Sequence, residues 1–288
     1  MKKVKIAVIG SDIMAMDLIN KILSESKHME LALLIGTFEG QSFPDRMREL
    51  DIEISEKEPV EALEGRDIQI VFNTTGKRVS IKDIFIINMF PSQDEPAVIP
   101  YVNLDRVIGD AHIKSVNLST FGAQAAIPVV YAISSVQQVE YAEIVSTVAS
   151  EVADSHMRNA VDEFIDLTSE AAVNIGGARE GKAISLLSPV SPPVLMRNTV
   201  YVKAGKYDMD KIINSVDQME KCVQEYVPGY RVIMAPIVDE GKVVIMTELM
   251  AKGDILLPSA GNIEIMVCSA LKTGEMYSRN KLLQGGAL

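Results

Sequence analysis

The stretch VKIAVIGSDIMAMDLINKILSESKHMELALLIG, residues 4–36, decides the fold. Residues 4–10 form a continuous β-branched and apolar run closed by Gly10, the composition of a strand covered on both faces. In DIMAMDLINKILSES, 12–26, the apolar residues recur at helical spacing, and ELALLIG, 30–36, is again a short apolar run. Strand, helix and strand in this order predict a parallel βαβ unit. IQIVFNTTG (68–76) and DIFIINMF (83–90) supply two further strands of the same kind. Residues 1–125 are therefore expected to form an α/β, Rossmann-like domain with a parallel sheet. Only TGKRVSIKD, 75–83, lies between the last two runs, barely enough for the crossover a parallel pair needs. That half of the sheet is expected to be trimmed.

Beyond Pro128 the pattern changes. VEYAEIVSTVAS (139–150) alternates like a half-exposed strand, MRNAVDEFIDLTSEAAVNI (157–175) is an amphipathic helix, and further strands read at KAISLL, NTVYVKA, YRVIMAPIV and KVVIMTELM. Strands outnumber helices here. Residues 126–261 are accordingly expected to form an α+β domain with a largely antiparallel sheet. A last helix, 262–280, would return to the first domain.

The 288 residues carry 48% apolar and 23% charged side chains, as ordinary globular chains do, and a net charge of -11. That charge repels a phosphate backbone, and no basic cluster longer than Lys77-Arg78 interrupts it, so no nucleic-acid partner is expected. No run approaches the length needed to span a membrane, no metal-ligand spacing is visible, and the two cysteines, Cys222 and Cys268, form no disulfide framework. These features predict a cytoplasmic protein without a membrane or metal site.

A dinucleotide-binding fold places a G-x-G-x-x-G loop where this chain has Gly10, Ser11, Asp12, Ile13, Met14 and Ala15. Asp12 sets a side chain and a negative charge where the backbone approaches a diphosphate, although Asp is also a common helix cap. The acidic residue that would hold the ribose hydroxyls is displaced, with Phe38 in its place and Glu39 one position late. Thr75, Lys77 and Arg78 follow a strand and could face an anionic ligand or only solvent. His156 and Arg158 open the long helix of the second half.

In STFGAQAAIPVV, 119–130, Phe121 stands at a strand-to-helix turn where α/β proteins place chemistry. This turn, with IPYVNLD, YAEIVS, RNAVDEF, PPVLMRNTVYV, YVPGYR and SAGNIEIM in the same order, resembles the acylating acetaldehyde dehydrogenases, partners of 4-hydroxy-2-oxovalerate aldolases. The resemblance implies a Rossmann domain, an α+β domain carrying homodimer contacts, and aldehyde, NAD(P) and coenzyme A as reactants. It also implies that the catalytic cysteine position holds Phe121, the activating aspartate position holds Asn198, and an asparagine position holds Ala160, with Asn159 beside it. The glycine-rich string before the long helix becomes VADSHMR, 152–158. Thr120, Gly122, Gln124, Gly261 and Asn262 persist, Gln124 and Asn262 on the cofactor side. As structural roles, Gly122 is read as a left-handed residue, Gln124 as a partner for buried backbone and Asn262 as a helix N-cap.

A phenylalanine cannot become a nucleophile and an asparagine cannot accept the thiol's proton. The first expectation is therefore a catalytically silent or weak dimeric subunit, with an aldolase-type partner by analogy. The second is an NAD(P)-dependent oxidoreductase acting directly on an aldehyde, ketone or imine. Authentic acetaldehyde dehydrogenase (acetylating) activity comes third. Cys268 lies near Asn262 and reads as core packing unless a base activates it.

Overall fold

A computed structural model describes residues 3–38, 47–153, 158, 160–253 and 255–285. Two compact units share the chain discontinuously. Unit 1 takes the chain up to Pro96, Asp105–Leu118 and everything from Ala270 on; unit 2 takes Ala97–Leu104 and Ser119–Ser269. The main division thus falls at Leu118/Ser119, where the sequence reading set it at 125.

Unit 1 holds a six-stranded sheet, β1 (Val4–Ile9), β2 (Met29–Ile35), β3 (Glu53–Ser55), β4 (Ile70–Asn73), β5 (Phe85–Asn88) and β6 (Ser115–Asn117). The order is β3-β2-β1-β4-β5-β6 and every pairing is parallel. This is the dinucleotide-fold order, whose direction of winding reverses between β1 and β4 and leaves a crevice at their carboxyl ends. Helix α1 (Ile13–Glu25) crosses from β1 to β2, as the apolar spacing predicts. A short helix α2 (Pro59–Leu63) precedes β4, and α3 (Leu104–Ile108) precedes β6. The trimmed half is present as expected: residues 74–84 join β4 to β5 without a helix. Val79 and Ile84 fold back into the core beside Ala7 and Val71, covering sheet surface that a crossover helix would otherwise cover.

Unit 2 holds β7 (Val139–Ala149), β8 (Ala178–Ser188), β9 (Met196–Lys203), β10 (Tyr230–Asp239) and β11 (Lys242–Leu249), in the order β10-β11-β9-β7-β8. Three of the four pairings are antiparallel, and β7 and β8 are parallel. The parallel pair has the long crossover it requires, helix α5 (Val161–Asn174). Strict alternation along β7 sends Ala142, Ile144 and Ser146 inward and leaves Tyr141, Glu143 and Val145 half-exposed. The inward face packs on α4 (Phe121–Ser134), α5 and α6 (Met209–Gln224) through Ile127, Val130, Ile144, Val200, Ile212 and Val216.

Helix α6 is absent from the sequence expectation. Its signals were present: Asp208 accepts the Lys211 amide at 3.3 Å as N-cap, and Ile212, Val216 and Val223 fall on one buried face. The last helix, α7 (Gly261–Gly285), starts in unit 2 and ends in unit 1. Within unit 1 it lies against the sheet at Gly274, where a Cβ would sit 2.5 Å from Phe72 Cζ and 2.7 Å from Met29 Sδ. Tyr277 stacks on Phe85 with ring centroids 3.9 Å apart.

Candidate functional site

The carboxyl edge of unit 1 carries a closely built turn. Gly10 is left-handed, φ +131°, and a Cβ there would fall 1.9 Å from Thr74 Oγ1. Gly36, at the end of β2, approaches it so closely that a Cβ would stand 3.3 Å from the Gly10 carbonyl. Only glycine fits at position 10, and a side chain at position 36 would be tight. Beyond Gly36 the ring of Phe38 is buried against this crossing; Glu39 lies outside the described residues.

Asp12 caps α1. Its Oδ1 accepts the Ala15 amide at 2.9 Å and lies 3.2 Å from Thr74 Oγ1, which is also 3.1 Å from the Ile9 carbonyl. Ser11 is half-buried and Ile13 exposed. The first-turn amides of a helix have no partner inside it and carry its positive end, so this is where an anion would be held. One of those amides is already committed to a carboxylate.

Next to this turn, three asparagines end three adjacent strands in register, Asn73 on β4, Asn88 on β5 and Asn117 on β6. Asn73 Nδ2 donates to Asn88 Oδ1 at 2.7 Å and to the Lys77 carbonyl at 2.7 Å, and Asn88 donates to Glu95 Oε2 at 2.6 Å. Asn117 donates to the Ser92 and Glu95 carbonyls. Thr75 Oγ1 donates to Asn73 Oδ1 at 2.8 Å. The row fixes both loops that border a cavity of about 180 Å³ lined by Lys77, Arg78, Phe90 and Glu95 among others. Arg78 pairs with Asp94 at 3.0 Å, both exposed. Sequence reasoning missed the asparagine row, because nothing local says that residues 73, 88 and 117 stand side by side.

In unit 2 the turn before α4 is left-handed at Ser119, φ 55°, and not at Gly122, which corrects the reading of that glycine. Gly122 is required for space: a Cβ would stand 2.9 Å from Ser146 Oγ. Thr120 is the N-cap, accepting the Ala123 amide at 3.0 Å, and its hydroxyl meets Thr168 Oγ1 at 2.6 Å. Phe121 is the first helical residue, 7% exposed, its ring tilted against Phe164 at 5.8 Å between centroids. The space left beside these rings, bounded by Ser146, Thr168 and Ser185, is about 10 Å³. That is room for about one water.

Asn198 lies on β9 behind this turn, fully buried. It accepts Ser146 Oγ at 2.8 Å and donates to Thr247 Oγ1 at 3.3 Å, so β7, β9 and β11 are tied by one polar row. Ala160 precedes α5 and its carbonyl accepts the Phe164 amide at 2.9 Å. Asn159 and His156 lie outside the described residues; Arg158 donates to the Ala153 carbonyl at 3.0 Å. Gln124 donates to the Val98 carbonyl at 2.7 Å and accepts Ser269 Oγ at 2.9 Å. Asn262 is inside α7 and 5% exposed, so it is not the cap that the sequence suggested.

Cys268 is buried with its Sγ 3.5 Å from Glu264 Oε1, and Cys222 is half-buried on α6. Burial raises the phenols of Tyr226 and Tyr230 above their ordinary range, and Tyr230 donates to the Ala125 carbonyl at 2.9 Å. Both stay neutral at physiological pH. Among the described residues no helix is long and apolar enough to cross a membrane.

Residues 121–258 match the family model described as prokaryotic acetaldehyde dehydrogenase, dimerisation. The chain is 38% identical to an acetaldehyde dehydrogenase of Chloroflexus aurantiacus, over 97% of this chain and 96% of the relative. It is 39% identical to that of Chloroflexus aggregans over 99% of both chains, and 39% identical to that of Pseudoalteromonas translucida over 99% of this chain and 98% of the relative. A solved Vibrio cholerae aspartate semialdehyde dehydrogenase II shares the fold, with a TM-score of 0.67 at 10% identity over 97% of this chain and 99% of that one. These relatives overturn the expectation of a silent subunit: similarity at this level runs through both units, without the erosion expected of a chain that kept only its interfaces. The chain belongs to the acetaldehyde dehydrogenase family.

Proposed function

We propose that this chain is a working NAD(P)-linked enzyme that oxidises a short-chain aldehyde. What carries the reading is identity of 38–39% to chains named acetaldehyde dehydrogenase along nearly the whole length. The parallel sheet in dinucleotide order supports the cofactor, and so does the left-handed Gly10 at the end of β1, where a dinucleotide fold places its first loop glycine. Gly10, Ser11, Asp12 and Ile13 would border its diphosphate, and Thr75 and Lys77 the adjoining edge. When bound, the nicotinamide takes the hydride.

The α4 turn is assigned to the aldehyde. Phe121 has no ionisable group and shapes the site, Asn198 holds Ser146 behind it, and Ala160 sits ahead of the helix that supplies Phe164. Oxidation begins when water or the coenzyme A thiol adds to the carbonyl carbon, forming a C–O or C–S bond; hydride then leaves that carbon, the C=O bond re-forms, and one proton is released to solvent. The protein is proposed to work as a cytoplasmic homodimer built on residues 121–258, with an aldolase-type protein as the supplier of its aldehyde.

Incubating the purified protein with acetaldehyde or propanal and NAD+ or NADP+, with and without coenzyme A, tests this. Formation of reduced nucleotide that needs both protein and aldehyde is expected. None with either aldehyde and either nucleotide would refute the proposal, and the coenzyme A arm identifies the acyl acceptor.

A further inference from the structure

The geometry points to Asp12 as a built-in brake on cofactor binding, its carboxylate standing as an internal substitute for phosphate at the start of α1; this rests on the NAD(P) reading above. The turn is tightly built: a Cβ at Gly10 would overlap Thr74 Oγ1, and one at Gly36 would stand 3.3 Å from the Gly10 backbone. At the same place Asp12 Oδ1 holds the Ala15 amide at 2.9 Å and contacts Thr74 Oγ1 at 3.2 Å. A diphosphate arriving here meets one fewer helix-terminal donor and a negative charge within a few ångströms, in a chain whose net charge is already -11. Lys77 and Arg78 stand on the β4–β5 connection, and Arg78 pairs with Asp94 at 3.0 Å. Asp12 therefore lowers affinity for any dinucleotide and stabilises the cofactor-free turn, so that binding means displacing a carboxylate from an amide it caps.

Asp12→Asn isolates the charge, because Asn and Asp cap helices about equally well. Titrating wild type and D12N with NADH and NADPH, followed by nicotinamide fluorescence, is the test, with thermal melting to confirm that both proteins are folded. D12N should bind about tenfold or more tightly at low ionic strength. The advantage should shrink to about twofold near 0.5 M salt, as expected for a screened repulsion and not for a change of cap. Equal affinities for the two proteins at low salt would overturn the brake and leave the cofactor reading intact. Binding by D12N alone would support the brake and deny wild type a resident cofactor. No binding by either folded protein would sink both.

Discussion

Gly122 shows how narrow the tolerances are at the α4 turn. Adding a methyl group there puts a carbon 2.9 Å from Ser146 Oγ, and that hydroxyl cannot swing away without giving up Asn198 Oδ1, an acceptor that is fully buried. Gly122→Ala should therefore cost about 1–3 kcal/mol of stability, the usual range for overpacking. Adding Ser146→Ala should recover only part of it, since the neighbouring carbon at 3.7 Å is unstrained but Asn198 then lacks its donor. Chemical denaturation of the two single variants and the double checks this; full additivity of the two losses would show that the clash is not the cause. Phe121 makes a different prediction. Its ring is buried beside Phe164, so Phe121→Ala should lose about 3–5 kcal/mol while widening a space now fit for one water. If the turn serves the aldehyde, the same variant should also change KM for propanal more than for acetaldehyde. At this scale the turn itself was legible in the sequence, and what packs behind it was not. Phe121, Gly122 and Asn198 were singled out, but Ser146 and Thr168, which set the spacing behind them, carry no signal of their own in a strand and a helix that read as ordinary core.

Among the elements, α7 carries the clearest electrostatic device. Glu275 Oε1 accepts the Lys27 and His28 amides at 3.0 and 3.2 Å, Ser26 Oγ donates to the same oxygen, and Oε2 meets His28 Nδ1 at 2.7 Å. One carboxylate thereby fixes the turn that launches β2. Burial alone would raise its pKa, but the hydrogen bonds from Ser26 and His28, with the His28 charge, outweigh that and hold it below the ordinary value of 4.5. A carboxyl whose folded pKa is depressed stabilises the fold above its unfolded pKa, and that contribution fades as pH falls through the folded value. Glu275→Gln should therefore destabilise the protein by about 1–3 kcal/mol near neutral pH, with the difference shrinking below about pH 4.5. Melting curves of both proteins from pH 7 downward would show it, and a difference independent of pH would contradict it. Elements were also where sequence reading succeeded most, although it missed α6 and the short β3, α2 and α3. Apolar runs and alternation are local, so nearly every strand and α1, α4 and α5 were legible. Helix α6 was not, because its exposed face is so polar that the buried Ile212, Val216 and Val223 were outnumbered.

For the whole molecule, strand order and unit membership are long-range facts that no local pattern encodes. Ala97–Leu104 belongs to unit 2 although both flanking segments belong to unit 1, and α7 passes from one unit to the other. Ending the chain at Ser269 would remove Gly274, Glu275 and Tyr277 and expose Phe72, Met29 and Phe85. Such a truncation should lose cooperative unfolding of unit 1.

The sheet of unit 2 leads to a sharper prediction. Its inward face is covered by α4, α5 and α6, whereas Tyr141, Glu143, Val145, Thr199, Tyr201 and Met246 on the opposite face are half-exposed. Charges on that side are already arranged in pairs, Lys182 with Glu143 at 3.2 Å and Arg197 with Glu248 at 2.7 Å, while Lys242 lies over the Tyr141 and Tyr201 rings. Paired charges and aromatic rings around a β-branched centre suit a surface that is covered in the working protein, since an isologous contact must satisfy the same groups twice. The match of residues 121–258 to a model described as a dimerisation domain suggests a homodimer, and we propose this face as its contact. The wild-type chain should then sediment at twice its 31.5 kDa, and Met246→Arg, which sets an unpaired charge at the centre of this face, should shift it to the monomer without unfolding it. A variant that remains dimeric at micromolar concentration would place the dimer contact elsewhere on unit 2.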